Sequence, residues 1–239
     1  MSVVSTSHPT TVDGVIDRLS TIERALPARD GVAVFNRMYL DVTERVAAAI
    51  DADDFGDAAF MVELDVRFAN LWLLAYEAVA AGRKPPSAWK PLFEERGSVG
   101  VLPIQHALAG MNAHIEHDLP LAVVETCRVR ATSPSVATVS EDYQRVNDVL
   151  AAVESEVRRS FLTAIGKQVD QEIGAVVHLV SAWNIDKARD LAWINVETLW
   201  AVRKLEKLYG RYAAMLSHTV GMGSRILLTP VARGLDPIG

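Results

Sequence analysis

The chain has 239 residues, 50% of them hydrophobic, with a single cysteine and a formal net charge of -6, enough apolar material to bury a large core in one domain spanning 1–239. The acidic balance and the lack of any Lys/Arg cluster exclude a binder of nucleic-acid phosphates. A lone Cys127 excludes an internal disulfide and a thiolate metal site and points to a reducing, cytoplasmic setting.

The N-terminal MSVVSTSHPTT has no basic start followed by an apolar stretch, so no signal peptide is expected and residues 1–9 read as a flexible N-terminus. Val12, Val15, Ile16, Leu19 and Ile22 then recur at helical spacing. Asp30 is placed to cap a second helix carrying Val34, Phe35, Met38, Tyr39 and Val42. Gly56 and Asp57 precede a long helix to about Ala81 that Gly82 closes. Lys84-Pro85-Pro86-Ser87 leads into a short helix from Trp89 to Glu95. A His-rich helix starts near Pro103, and Pro120 is expected to break or kink it before a further helix to Val129. The stretch Ala131 to Ser135 is the clearest linker, and Thr138 with Glu141 has capping-box spacing ahead of another long helix. Helices are expected over 170–182, 185–205 and 208–227. No alternating run can build a sheet, and every uncharged run is interrupted, so the expectation is an all-α bundle of roughly eight to ten helices around the His-rich rod, with no membrane span.

That rod carries the chemistry. From Gly97 to Ile115 there is no Asp, Glu, Lys or Arg, yet the segment through Asp118 holds His106, His114, His117 and Asp118. Polar groups in so apolar a stretch must be paired, bound to a metal or used. At about 100° per residue His106, Gly110, His114, His117 and Asp118 share one arc, with Gly110 leaving a notch for a ligand or a backbone. His106 and His114 stand about 12 Å apart along the axis, too far to share one ion. His114 and Asp118, at i and i+4, can share one. A carboxylate in a last turn opposes the helix dipole and is stabilised by a cation; equally, Asp118 can cap the helix at Pro120 and His114 can hydrogen-bond inside the core.

The best partner is Asp65, which shares a face with Met61, Phe68, Ala69, Trp72 and Tyr76 while Glu63, Arg67, Asn70 and Glu77 face water. A buried lone carboxyl has a raised pKa or a partner, so Asp65 reads as a metal ligand, a general acid or base, or half of a buried ion pair. Arg189 shares a face with Trp193, Val196 and Trp200, and its options are Asp65, an anionic substrate group, or an i,i+3 bridge to Asp186. Asn147, beside Tyr143, Leu150 and Phe161, is a weaker pocket residue, and Trp72, Tyr76 and Trp193 are the aromatic residues expected around an apolar substrate. His178 reads as a core histidine, and His8 and His218 carry no pattern. Asp53-Asp54-Phe55-Gly56-Asp57 spells DDxxD and, with Asn147-Asp148, looks superficially like the magnesium motifs of class I terpene synthases. Gly56 places it in a loop, and a helix cap at Asp57 explains the same letters.

Through Phe35 to Val46, Leu64 to Leu73, His106 to Pro120, Glu141 to Leu150 and Ala188 to Leu199, the chain resembles a mainly actinobacterial family catalogued as a domain of unknown function. That resemblance implies one all-helical domain and leaves the activity open. His114-Ile115-Glu116-His117-Asp118 is also similar to the H-x-x-x-D element of helical zinc phospholipase C and single-strand nucleases, and His117-Asp118 to the doublet of helical metal phosphohydrolases.

The leading expectation is an enzyme holding a divalent metal (Zn, Mn or Fe) on His114, Asp118 and Asp65, which activates water against an ester or phosphoester. His106 or His117 would move protons, and Arg189 would hold substrate charge. The alternative is a metal-free lyase, isomerase or cyclase using Asp65 and the histidines as acid-base groups on an apolar metabolite. A non-catalytic ligand-binding bundle is the third option. In each case the partner is a small molecule, and the sequence leaves the oligomeric state open.

Overall fold

The computed structural model describes residues 8–147, 149–150 and 184–230. These residues form helices and short connections, with no strand among them. The expected helix over 170–182 and His178 lie outside the described residues, as does most of the N-terminal segment.

Local sequence signals set most helix ends. Helix α1 (Val12–Ala25) starts at Thr11, whose hydroxyl accepts from the Gly14 N–H at 3.1 Å. Asp30 caps α2 (Gly31–Asp51), accepting from the Val32 N–H at 2.8 Å, and it also forms an ion pair with Arg96. Asp57 caps α3 (Ala58–Ala80) by accepting from the Phe60 N–H at 2.8 Å, which is the role the acidic DDxxD letters play. The same loop is held from the far side by buried Asp142, whose two oxygens accept from the Gly56 and Asp57 N–H groups at 2.7 and 2.8 Å. Gly82 ends α3 at φ +70°, a left-handed conformation that glycine adopts without strain. After α4 (Lys90–Glu95) the chain enters α5 (Pro103–Ala113).

Pro120 does not break the rod. A π-helical turn, His114–Asp118, joins α5 directly to α6 (Leu119–Val129), and the Leu119 N–H reaches back five residues to the His114 carbonyl. A proline lacks the N–H and crowds the carbonyl four residues before it, and a widened turn just ahead of it relieves both. The helix expected at a Thr138 cap, α7, begins at 137, with the Val136 carbonyl accepting from the Val139 and Ser140 N–H groups. Helices α8 (Ile185–Val202), capped by Asn184, and α9 (Glu206–Leu227) complete the described chain. No described helix is long and apolar enough to cross a membrane.

The rod is the axis of the packing. Its first half lies against α2 and α9, its second half against α3 and α8. Gln105 docks the end of α9, donating from Nε2 to the Leu227 and Thr229 carbonyls at 2.8 Å each, and Asn112 donates to the Val220 carbonyl at 3.1 Å. The Gly110 notch is filled by this protein's own Phe35, since a Cβ built on Gly110 would stand 2.3 Å from a Phe35 ring carbon. Gly110→Ala is therefore expected to cost up to about 2 kcal/mol net, because overpacking of about 1–3 kcal/mol against a locked aromatic ring outweighs the roughly 1 kcal/mol gained in helix propensity. Urea unfolding reads it directly, and a midpoint at or above wild type would show that the ring has room to move.

Candidate functional site

Where α2, α3, the rod, α7 and α8 converge lies a cavity of about 80 Å³, room for several waters at roughly 10–15 Å³ each or for a small organic body. Its described walls are largely apolar, with Met38, Val42 and Val46 from α2, Met61, Leu64 and Phe68 from α3, and Met111, Ile115 and Leu119 from the rod. Tyr39, Asp65, His114, Tyr143 and Arg189 interrupt that surface.

His114 is held from behind by Asp118. The buried carboxylate accepts from His114 Nδ1 at 3.0 Å, from His117 Nδ1 at 2.6 Å and from the Trp89 indole N–H at 2.9 Å. Burial pushes the Asp118 pKa up, but the hydrogen bonds from His114 and His117 outweigh it and hold the group below the usual carboxylate range, so it is ionised. An ionised carboxylate can only accept, so both imidazoles carry a proton on Nδ1. A neutral imidazole with its proton on Nδ1 presents a lone pair at Nε2. Phe68 stacks flat on His114 with centroids 3.6 Å apart, and Tyr39 meets it edge-on at 4.4 Å. Burial lowers the pKa of His114 against the opposing pull of Asp118, which keeps the ring neutral. His114 Nε2 is buried and has no hydrogen-bond partner among the described residues.

Asp65 meets the cavity from α3. Its Oδ2 is likewise buried and unpartnered, and burial alone raises its pKa from 3.8 to about 7. No cation among the described residues is close enough to draw it down. The Tyr39 hydroxyl is a third such atom, with no partner in hydrogen-bond geometry among the described residues; the nearby Thr43 hydroxyl, which donates to the Tyr39 backbone carbonyl at 2.9 Å, only partly offsets the rise in the phenol's pKa. Burial, then Asp65, pushes the Tyr39 pKa up, so the phenol keeps its proton. In the sequence Tyr39 falls on an apolar helix face and carries no expected role. Nothing in the local pattern distinguishes its hydroxyl from those of Tyr residues at the core edge.

On α8, Arg189 is buried and takes tertiary partners in place of the expected bridge to Asp186. Its Nε donates to Asn147 Oδ1, one Nη donates to the Tyr143 carbonyl, and the guanidinium lies 4.1 Å from the Tyr143 ring centroid. Tyr143 donates its hydroxyl back to the Arg189 carbonyl at 2.7 Å. Trp193 packs on Tyr143 from outside the cavity, with centroids 4.6 Å apart. Asn147 thus acts on Arg189 and does not itself line the space.

Other expected site residues lie elsewhere. His106 is bound at Nε2 to the Glu95 carbonyl at 2.9 Å and packs on Gly31, separated from His114 by the Phe35 ring seated at Gly110. It ties α5 to the end of α4 and does not line the cavity. His117 serves Asp118 and also stands outside the described lining. Trp72 is fully buried among Phe35, Trp89 and Phe93, with Tyr76 at its edge, and it donates to Asn36 Oδ1 at 3.3 Å. Trp72 and Tyr76 support the wall without forming it.

The expected metal set fares poorly on donor chemistry. Asp118 is committed to three donors behind His114, which leaves His114 Nε2 and Asp65 facing the space. Catalytic zinc sites use three protein ligands. Among the described residues no three His, Cys, Asp or Glu side chains come together as a metal requires. Cys127 is no substitute, since burial pushes its thiol up to about 11.

No curated protein and no solved structure matches the chain. A model of a family of unknown function, DUF5995, matches residues 12–230, a span that takes in every residue of this cavity, and the chain belongs to that family.

Proposed function

We propose that this protein is a metal-free acid-base enzyme, of the lyase, isomerase or cyclase kind, which moves protons on and off an apolar small molecule held between Asp65 and His114. One observation carries the reading: Asp65 Oδ2, His114 Nε2 and the Tyr39 hydroxyl are buried, have no hydrogen-bond partner among the described residues, and belong to residues lining one apolar cavity. Left empty, such groups cost free energy that a packed core avoids, and a ligand with matching polarity recovers it.

The neutral His114 Nε2 takes a proton from a substrate carbon, and the imidazolium so formed is stabilised by Asp118, 3.0 Å from Nδ1. Asp65, with its pKa near 7, is substantially protonated at neutral pH and returns a proton at a second position. The Tyr39 hydroxyl donates to charge that develops on the substrate. Exchange with solvent resets both groups. Metal-assisted hydrolysis of an ester or phosphoester would need at least one donor beyond His114 and Asp65, so proton transfer is the chemistry these residues support.

The test is solvent labelling. Incubated in D₂O with a small-molecule extract, the wild-type protein is expected to introduce deuterium at carbon into a discrete metabolite, read by mass spectrometry. Asp65→Asn and His114→Gln should each slow that labelling by about 100-fold or more. A wild-type protein that labels nothing, or variants that label at the wild-type rate, would leave a binding bundle in place of an enzyme.

A further inference from the structure

The cavity has a second end. Arg189 lines it, is only 4% exposed, and has no carboxylate within ion-pair distance among the described residues. Its hydrogen bonds go to neutral oxygens, the Asn147 amide and the Tyr143 carbonyl, and spend two of a guanidinium's five N–H donors. Asp186 and Asp190 lie on the same helix and support the guanidinium's charge through space, but both are solvent-exposed and neither forms an ion pair with it. Buried cations are ordinarily paired. This one is braced by Asn147 and Tyr143 and, among the described residues, has no carboxylate in direct contact, only the two exposed ones at longer range. The lone positive side chain in the described lining thus sits apart from Asp65, whose pKa it does not depress.

We propose that the ligand of this cavity is a small monocarboxylic acid with an apolar body, its carboxylate on Arg189 and its hydrocarbon portion running past Met38, Met61 and Met111 toward Asp65 and His114. The proposal rests on the acid-base reading for where the reacting carbon lies, and on Arg189 for the head group. One cation matches one negative charge, and a planar guanidinium matches a carboxylate bidentately. A phosphate brings nearly twice the charge to a single cation and offers no hydrocarbon to the apolar walls. Flexible methionines adapt to hydrocarbon of varied outline, so the walls select for apolarity more than for one shape.

Binding to the wild-type protein decides the matter. Butanoate, hexanoate and octanoate are titrated calorimetrically at pH 7.5 beside the alcohols of equal length and inorganic phosphate. At least one acid is expected to bind about tenfold or more tightly than its alcohol, a difference of about 1.4 kcal/mol. Arg189→Gln should bring the acid down to the level of the alcohol while leaving the alcohol unchanged. Alcohols that bind as well as acids, phosphate that binds better than every acid, no binding by any acid, or an acid preference that survives Arg189→Gln would each overturn the assignment. The acid-against-alcohol comparison uses the unaltered chain, so it stands even where Arg189→Gln does not fold. Deuterium labelling lost in Asp65→Asn but with no acid preference would sink the head-group assignment alone. Acid preference without labelling would sink the catalytic reading alone.

Discussion

Asp118→Ala is expected to lower stability by about 3–5 kcal/mol, the cost of removing one partner of a buried charged network, and to lower the melting temperature by roughly 10 °C for a chain of this size. Three buried donors, the Trp89 indole and the Nδ1 groups of His114 and His117, lose their common acceptor at once. Truncation also leaves a void beside the fully buried Trp89. Asp118→Asn keeps the volume but offers one acceptor oxygen, so its amide nitrogen must face a donor on one side, and it should fall between alanine and wild type. Calorimetric unfolding of the three proteins gives the order. A loss under about 1 kcal/mol for the alanine variant would mean that water or the helix itself satisfies these donors.

Asp65→Asn should have the opposite sign. In the folded protein the carboxyl titrates near 7, whereas its ordinary value is 3.8. Between those two values the unfolded chain releases a proton that the folded chain retains, so wild-type stability falls as pH rises through this window and levels off above it. Asparagine does not titrate. The variant should match wild type near pH 4 and exceed it by up to about 4 kcal/mol at pH 8, because each pH step of one between the unfolded and folded titration points is worth about 1.36 kcal/mol. Urea midpoints of both proteins at pH 4, 6 and 8 test this. A gap that is constant with pH, or that shrinks as pH rises, would show that Asp65 has a partner in the fold. The same substitution is the one expected to abolish proton transfer, so stability gained at neutral pH and activity lost come together, as befits a group kept for its chemistry.

Much of this was legible in the letters. Asp30 and Asp57 were readable as caps because a cap is a local event, a side chain meeting a backbone N–H two or three residues on. The burial of Asp65 followed from its helix face, since Glu63 and Arg67 on the other side pair with each other in partial exposure. Tertiary effects were not legible. Pro120 reads as a break in any local account, and only the packing of four neighbouring helices makes a widened turn preferable to a loop. His106 and His114 do share an arc, but Phe35, 71 residues before His106 in the chain, fills the space between them. Arg189 followed the same rule. An i,i+3 bridge to Asp186 was the local expectation, and contacts with α7 displaced it. The lone phenol of Tyr39 has no sequence signature at all, because its isolation is a property of its neighbours.

The widened turn also changes how the central segment can vary. At about 100° of rotation per residue, the additional residue in that turn sets α5 and α6 at different azimuths, and a single helical wheel drawn through 103–129 misassigns the inward side of one half. A one-residue insertion or deletion there acts as a screw displacement: it scarcely alters the length of the rod but turns one half away from the helix pair it serves. Substitutions on either side of Asp118 are therefore best compared on two separate wheels, each with its own zero.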